Sequence, residues 1–394
     1  MVIPQKPKHI RMNASFYSRR TFISTLTSGI GTATLSLTGL ASLAGCGQSQ
    51  KNYNPDAAAE KGGSDVQKLG IALVGLGGYS SGQLAPALQQ TAHCYLAGIV
   101  TGTPDKEEEW SRKYNIPAKN IYNYKNFDSI RDNPDIDIVY VVLPNAMHKE
   151  FVIRAAEAGK HVICEKPMAV TVADCDAMIE ACRKAGKRLS IGYRLHFEPH
   201  NLEMMRLGKE KTFGNIKYMT AEDGMSDTRG WRLNKALAGG GPLMDVGIYC
   251  VQGVRYTTGL EPIAVTAVEG PKNDPEKFKE VEESLSWKME MPGGIVANCK
   301  TSYSEKLNVL RADAEQGWFE LEPAYEYKGI EGETVNGKMN FPQVNQQALQ
   351  MDDFAQAIKN NRPTPVPGDM GRQDVKILQA IYESMRTGKR VSIG

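Results

Sequence analysis

The residue types best suited to acid–base chemistry stand at two places in the sequence. Glu165-Lys166-Pro167 follows a short apolar run, and Asp245 and Tyr249 lie four residues apart in a later apolar segment. Residues four apart share one face of a helix, so this carboxylate and this phenol would project together. A lysine ammonium can lower the pKa of a nearby hydroxyl or hydrogen-bond a ligand oxygen. The residues alone leave two other interpretations open: an exposed polar pair and a solvated lysine.

These side chains need elements that bring them together. Leu69 to Val74 is an apolar run typical of a buried parallel strand, and Gly75, Gly77, Gly78 and a helical pattern from Ser80 to Leu88 follow it. Further strands are predicted at 95–100, 137–143, 161–164 and 188–192, and helices near 105–114, 147–159 and 172–186. The alternation predicts a Rossmann-type doubly wound parallel sheet over residues 67–195. Its glycine turn would let a pyrophosphate approach a helix N-terminus.

The end of the second predicted strand indicates which dinucleotide is preferred. NAD enzymes usually place Asp or Glu there to bind the ribose 2′-hydroxyl. This sequence has Thr101-Gly102-Thr103-Pro104-Asp105-Lys106 instead. Small hydroxyl groups and Lys106 are available to a 2′-phosphate, and Asp105 is predicted to cap the next helix. The sequence therefore favours NADP over NAD.

The second half, residues 196–394, has a different pattern. Alternating segments predict an open, mostly antiparallel sheet, with strands at 215–222, 263–269, 283–291, 294–302, 307–314 and 316–321. Helices are predicted at 244–258, 345–360 and 368–387, and the last two are expected to pack back onto the first domain. We expect this α+β domain to cover a substrate with one sheet face and to form a dimer or tetramer through the other.

The N-terminal segment, residues 1–46, is predicted to be an export signal. Arg19 and Arg20 precede an uncharged, mildly apolar stretch, which is typical of the twin-arginine route rather than of a spanning helix. Leu43-Ala44-Gly45-Cys46 resembles a lipoprotein cleavage box, so cleavage there would leave a lipidated Cys46, and cleavage nearby a soluble product. Residues 47–66 are predicted to be a flexible tether. The expected location is the periplasm, either free or as a membrane-anchored lipoprotein.

Composition excludes several partners. The formal net charge is +2 and no long Lys/Arg run occurs, so nucleic acid binding is not expected. The seven cysteines form no CxxC pair and no Cys/His cluster with metal spacing, so no metal site is predicted. Six of them fall inside predicted strands or helices, where free cysteine usually behaves as a small buried hydrophobe.

A set of motifs, in order and spacing, resembles a known family over residues 68–391. The motifs are Gly75-Leu76-Gly77, Leu143-Pro144-Asn145 with His148, Glu165-Lys166-Pro167-Met168, Ile191-Gly192-Tyr193-Arg194, Trp231-Arg232-Leu233 and Gly239 to Tyr249. Together they resemble the periplasmic glucose–fructose oxidoreductases, a branch of a broad sugar oxidoreductase family. One departure is the tether, which has a single proline, Pro55, where that branch has a proline-rich arm over a neighbouring subunit's dinucleotide.

The resemblance implies roles for particular residues. Tyr249 would exchange a proton with a sugar hydroxyl, Lys166 would stabilise its phenolate, and Asp245 would hold a substrate hydroxyl or orient the tyrosine. The implied NADP-binding residues are Gly75, Leu76, Gly77, Gly78, Tyr79, Thr101, Lys106, Tyr124, Pro144, Asn145, His148, Glu165, Lys166, Arg194, Trp231 and Arg232.

The implied reaction has two halves. An aldose is oxidised to an aldonolactone, and a second sugar is then reduced to an alditol without release of NADP. Retention of the cofactor would suit an exported enzyme, because nicotinamide dinucleotides are cytoplasmic. Three alternatives stay open: a simple NADP-dependent sugar dehydrogenase, an NAD(P)-dependent glycosidase and a non-catalytic sugar-binding lipoprotein.

Overall fold

The computed structural model describes residues 67–394. The predicted export signal, Cys46 and the tether to residue 66 lie outside the described residues. The first sheet is built from six short, largely buried strands: β1 (Leu69–Val74), β2 (Cys94–Val100), β3 (Ile121–Tyr122), β4 (Ile138–Val141), β5 (His161–Cys164) and β6 (Leu189–Ile191). All neighbours are parallel, in the order β3-β2-β1-β4-β5-β6. The order reverses between β1 and β4, which is where such sheets open a ligand crevice.

Helices connect these strands and cover both faces of the sheet. They are α1 (Ala85–Leu88), preceded by a π-helical turn at Ser80–Leu84, then α2 (Pro104–Tyr114), α3 (His148–Glu157) and α4 (Val172–Lys184). Helix α2 begins at Pro104 with Thr103 as its N-cap, so the prediction that Asp105 caps it is wrong. Proline at the first helical position sets the start, because its fixed φ suits a helix and its missing N–H has no partner there. Asp105 instead lies in the first turn, where a carboxylate is favourable.

The second sheet has nine strands in the order β14-β13-β12-β11-β7-β10-β9-β8-β15. They are β7 (Ile216–Gly224), β8 (Ala264–Glu269), β9 (Ser284–Glu290), β10 (Val296–Ser302), β11 (Leu307–Ala314), β12 (Gly317–Leu321), β13 (Gly332–Thr334), β14 (Gly337–Met339) and β15 (Val391–Ser392). Only the β7–β10 pair is parallel among its neighbours. The α/β fold class predicted from the sequence, a Rossmann sheet with an open, mostly antiparallel sheet, is confirmed.

The helices of the second half pack on both sheets. They are α5 (Pro199–Glu210), α6 (Lys235–Ala238), α7 (Ile248–Thr258), α8 (Gln346–Lys359) and α9 (Gly368–Thr387). Helix α8 buries Met351 and Phe354 against Ile71 and Leu73 of β1. The sequence did not predict α5, whose first turn contains buried polar residues such as His200 that obscure a helical apolar period.

Two further properties concern export and redox state. The six cysteines between residues 67 and 394 are all free and buried, as the sequence predicted. Within the same range, the helices are too short or too polar to cross a bilayer.

Candidate active site

A cleft of about 330 Å³ opens where the strand order of the first sheet reverses. Residues that follow β1, β2, β4 and β5 line one part of it, and residues of the second half close the other. The lining residues are Gly75, Leu76, Gly77, Gly78, Tyr79, Thr101, Thr103, Lys106, Tyr124, Val142, Leu143, Pro144, Asn145, Glu165, Lys166, Met225, Trp231, Arg232, Asp245, Val246, Tyr249 and Tyr327. The lining residues of the first half lie together because the carboxyl ends of the parallel strands meet at one edge of the sheet.

The glycine turn after β1 has the geometry that a dinucleotide needs. Gly75 has φ +93°, and a Cβ there would lie 2.4 Å from the carbonyl oxygen of Val142. Only glycine fits that position without strain. At Gly77 and Gly78 an added Cβ would meet nothing within 4 Å, so the backbone itself faces open space. A π-helical turn starts at Ser80, and its N-terminal amides favour a bound anion. The turn therefore fits a pyrophosphate.

The far end of the cleft lies at the tip of β2. Thr101 and Thr103 line it, and Asp105 does not. The Lys106 ammonium donates to the carbonyl oxygen of Leu76 at 2.8 Å, so it stands beside the glycine turn. Threonine hydroxyls and one ammonium are therefore the hydrogen-bond donors at this end of the cleft.

The three residues predicted for catalysis meet at the opposite end of the cleft. Lys166 Nζ lies 3.6 Å from Asp245 Oδ1 and 4.6 Å from the centre of the Tyr249 ring. The Lys166 ammonium also donates to the backbone carbonyl of Asp245. Tyr249 is 7% exposed and lines the cleft. The ammonium, carboxylate and phenol that acid–base chemistry needs are therefore adjacent, although Lys166 and Tyr249 are 83 positions apart in the sequence.

A local glycine-rich sequence shapes the turn that carries Asp245 and Tyr249. A Cβ at Gly240 would lie 2.0 Å from Tyr382 Oη, and one at Gly241 would lie 2.5 Å from the carbonyl oxygen of Glu282. The chain then forms a π-helical turn, Leu243–Gly247, before α7 begins. The sequence predicted a regular helix over 244–258 and so missed this turn; π-helical turns are frequent at functional sites.

The carboxyl group of Asp245 stays ionised because cations surround it. Arg232 Nε donates to its Oδ2 at 2.5 Å, and the Tyr303 hydroxyl donates to the same oxygen at 3.2 Å. Burial alone would raise the pKa of Asp245, but Arg232 and Lys166 outweigh burial and hold it below its usual value. Burial would likewise lower the pKa of Lys166, but Tyr249 and Asp245 raise it, so the ammonium stays charged.

Glu165, the residue before Lys166, is held by a buried hydrogen-bond chain that leads to helix α8. The Tyr140 hydroxyl donates to Glu165 Oε1 at 2.6 Å, and the Gln350 amide donates to the Tyr140 oxygen at 2.8 Å. Burial raises the pKa of Glu165, and the Tyr140 bond and the Lys166 charge offset this only in part. Helix α8 thus supports a cleft residue through one tyrosine.

Two of the predicted cofactor residues lie outside the cleft. His148 is fully buried, and its two ring nitrogens contact the carbonyl oxygens of Pro167 at 3.0 Å and Leu143 at 2.8 Å. It joins two loops of the cleft wall. Arg194 is 2% exposed and bonds to backbone and amide oxygens away from the cleft surface. The structure places both residues behind those that line the cleft, which a motif does not reveal.

The other predicted residues line the cleft, and it also contains some that the sequence did not indicate. Tyr327 and Met225 are the largest of these additions. Tyr327 follows β12 and stands 5.8 Å, ring centre to ring centre, from Tyr79. Neither residue belongs to a motif, so only the fold brings it to the site.

The fold and the cleft together define an oxidoreductase that uses a nicotinamide dinucleotide. Comparison with protein-family models agrees over nearly the whole described chain. Residues 69–193 match an oxidoreductase family with an NAD-binding Rossmann fold, residues 202–320 a GFO/IDH/MocA C-terminal domain, and residues 324–393 an oxidoreductase C-terminal alpha/beta domain. The chain belongs to the GFO/IDH/MocA family of oxidoreductases.

Named relatives place the chain among NAD(P)-dependent sugar dehydrogenases and oxidoreductases. The crystal structure of aldose-aldose oxidoreductase from Caulobacter crescentus, complexed with glycerol, is 43% identical and superimposes with a TM-score of 0.81. That match covers 83% of this chain and 100% of the other. The NADP(+)-dependent D-xylose 1-dehydrogenase of Haloarcula marismortui is 26% identical over 82% of this chain and 92% of its own. Trans-1,2-dihydrobenzene-1,2-diol dehydrogenase of Xenopus tropicalis is 32% identical over 44% of this chain and 51% of its own.

Proposed function

We propose that the protein oxidises an aldose to an aldonolactone and reduces a second sugar to an alditol with the same bound NADP, as glucose–fructose oxidoreductases do. The observation that carries this proposal is the meeting of Lys166, Asp245 and Tyr249 at one end of a dinucleotide cleft. The 43% identity to an aldose-aldose oxidoreductase supports a second aldose as the sugar that is reduced. Bound NADP would supply the site that accepts and returns hydride.

The chain's own residues account for the proton. Tyr249 in its phenolate form takes the proton of the anomeric hydroxyl, and the neutral phenol returns it when the second sugar is reduced. Lys166 favours the phenolate because its ammonium lies 4.6 Å from the ring centre. Asp245, ionised and fixed by Arg232, is an acceptor for a neighbouring sugar hydroxyl.

Several residues would hold NADP in this scheme. The turn Gly75–Gly78 would take the pyrophosphate, and Thr101, Thr103 and Lys106 would take the 2′-phosphate. Retention through both half-reactions requires slow release of the cofactor. We propose that it stays bound during turnover, which removes the need for free NADP outside the cytoplasm.

The test is the absorbance spectrum of the purified protein. One aldose added alone should produce the near-ultraviolet band of reduced nicotinamide without added NADP, and a second sugar should then bleach it. A protein that purifies without dinucleotide and turns over only with added NADP is a simple sugar dehydrogenase. Release of free sugar from a glycoside without net redox change indicates a glycosidase. No redox change with any sugar indicates a binding protein.

Export completes the proposal. Arg19 and Arg20 support passage by the twin-arginine route, which carries folded proteins with their cofactors, and Leu43 to Cys46 supports a lipid anchor. Cell fractionation of the full chain and of a Cys46→Ala variant tests both proposals. The full chain should be found in the membrane fraction, and the Cys46→Ala variant in the soluble periplasmic fraction. The open nine-stranded sheet supports a homodimer or tetramer, which light scattering would measure.

A further inference from the structure

Arg194 is a buried cation that forms no direct ion pair within residues 67–394. Its Nη1 donates to the carbonyl oxygen of Glu326 at 3.1 Å and to the side-chain oxygen of Gln346, and its Nη2 donates to the carbonyl oxygen of Tyr325 at 2.5 Å. These acceptors are all uncharged. Burying a charge without a counter-charge is costly. If the side chain at this position only had to fill space, a neutral one would do so at lower cost. The positive charge therefore needs a reason of its own.

The groups that face this charge are tyrosines. The guanidinium carbon lies 4.4 Å from the centre of the Tyr327 ring and 5.1 Å from the centre of the Tyr249 ring. Lys166 Nζ lies 4.6 Å from the Tyr249 centre. Two cations from distant parts of the chain therefore flank the proposed acid/base, each at a distance at which a cation attracts an aromatic ring.

Lys166 and Arg194 differ in how their charges are compensated. Lys166 pairs with Asp245, whereas Arg194 has only neutral acceptors. Burial alone would lower the pKa of Arg194, but Tyr249 and Tyr327 raise it above its usual value. Other titratable groups around the Tyr249 ring are Tyr79, Tyr256 and Tyr325, with Asp245 on its own turn. The buried carboxyl groups of Glu165 and Asp223 also face both Lys166 and Arg194. Arg194 thus stands beside Tyr249 without a direct ion pair, whereas Lys166 has one with Asp245.

We infer that Arg194 is a positioning residue for Tyr249, which holds its ring in place and stabilises its phenolate from behind the residues that line the cleft. This inference rests on the proposed function. In the step concerned, the O–H bond of the sugar breaks and its proton goes to the phenolate oxygen of Tyr249. The freed electron pair forms the new C=O bond while the C–H electron pair leaves as hydride to NADP. Arg194 is not among the residues that line the cleft, so it would act through Tyr249.

The experiment compares Arg194→Gln, Arg194→Lys and Arg255→Lys in the full-length holoenzyme. Arg255 is a matched control because it is also a buried arginine, near the other end of α7, but it is paired with Glu261 and Asp374. Wild-type turnover is measured first, so a failure of the proposed function appears before any variant is made. The readouts are the dissociation constant of NADP, and kcat and KM for aldose oxidation as functions of pH.

For Arg194→Gln we expect kcat to fall by about tenfold or more, with KM and the NADP dissociation constant within about twofold of wild type. The acidic limb of the kcat profile should move to higher pH, because the phenolate has lost one stabilising cation. In Arg194→Lys the acidic limb of the kcat profile should return towards its wild-type pH. In Arg255→Lys the limb should stay at its wild-type pH, while thermal stability falls.

Two results would overturn the inference. One is an unmoved acidic limb in Arg194→Gln; the other is a large loss of NADP affinity, which would make Arg194 a cofactor ligand. If Arg194→Gln does not fold, Gln346→Met removes one acceptor and keeps the charge. That variant should lower kcat without moving the limb, and an unchanged kcat would then refute positioning.

Discussion

Removal of the Lys166 ammonium is the most direct test of the proposed proton chemistry. Lys166 Nζ lies 4.6 Å from the centre of the Tyr249 ring, and both side chains are mostly buried. If the phenolate charge is placed at the ring centre, an effective dielectric constant of about 20 gives an upper value of about 3–4 kcal/mol for its attraction to the ammonium. A loss of that size corresponds to roughly two to three orders of magnitude in rate. Asp245 neutralises part of the charge, so we expect the lower end.

We therefore predict that Lys166→Met lowers kcat for aldose oxidation by about 100-fold near neutral pH. The loss should shrink as pH rises, because hydroxide then ionises the phenol without help. Steady-state rates of aldonolactone formation at saturating concentrations of both sugars, measured across pH, would show this. Lys106→Met is the matched control, since this second cleft lysine lies beside Leu76 and should leave the pH profile unchanged. A loss in Lys166→Met that is equal at every pH would refute phenolate stabilisation.

Three further predictions concern binding and stability. Lys106→Met should weaken NADP binding by about tenfold and change NAD binding by much less, measured by titration; equal losses would remove Lys106 from the 2′-phosphate site. Asp245→Asn should lower the free energy of unfolding by about 3 kcal/mol at pH 7, because Lys166 and Arg232 lose their buried counter-charge. The folded-state pKa of Asp245 is depressed, so its carboxylate contributes its full stabilisation above the ordinary pKa of Asp. This stabilisation is lost as the pH falls through the folded-state pKa. The free energies of unfolding in urea of wild type and variant should therefore converge in acid. Gly75→Ala should destabilise the fold by at least about 1–3 kcal/mol, because its positive φ strains the backbone and its Cβ would clash with the carbonyl oxygen of Val142. Gly77→Ala should keep wild-type stability and lose dinucleotide affinity, because its Cβ enters open space; calorimetry with cofactor titration separates the two.

The sequence predicted the elements that depend on local patterns. Strand β1 and the glycine turn after it were identified because an apolar run followed by Gly75, Gly77 and Gly78 has few other structural uses. The antiparallel character of the second sheet followed from alternation of period two. Short strands such as β3 and β15, with two residues each, left no period to detect.

Composition and spacing also determined the chemistry of the site. Lys166 at a strand end, and Asp245 with Tyr249 on one turn, were recognisable because each depends on neighbours only a few residues away. Resemblance to a family then assigned roles that the spacing left open. The expected location of these residues at one cleft agrees with their place among its lining residues.

The tertiary structure alone decided which residues stand behind the cleft and which complete it. Arg194 contacts Tyr325 and Glu326, more than 130 residues further along the chain, and Tyr327 reaches Tyr79 across the two halves. His148 sits in a motif yet bonds only to the carbonyl oxygens of the cleft wall. A motif records residue types and local spacing, whereas burial and contact between distant segments depend on how the two sheets pack. For that reason the sequence and its resemblance to a family predicted the acid/base group, and only the fold revealed the second cation beside it.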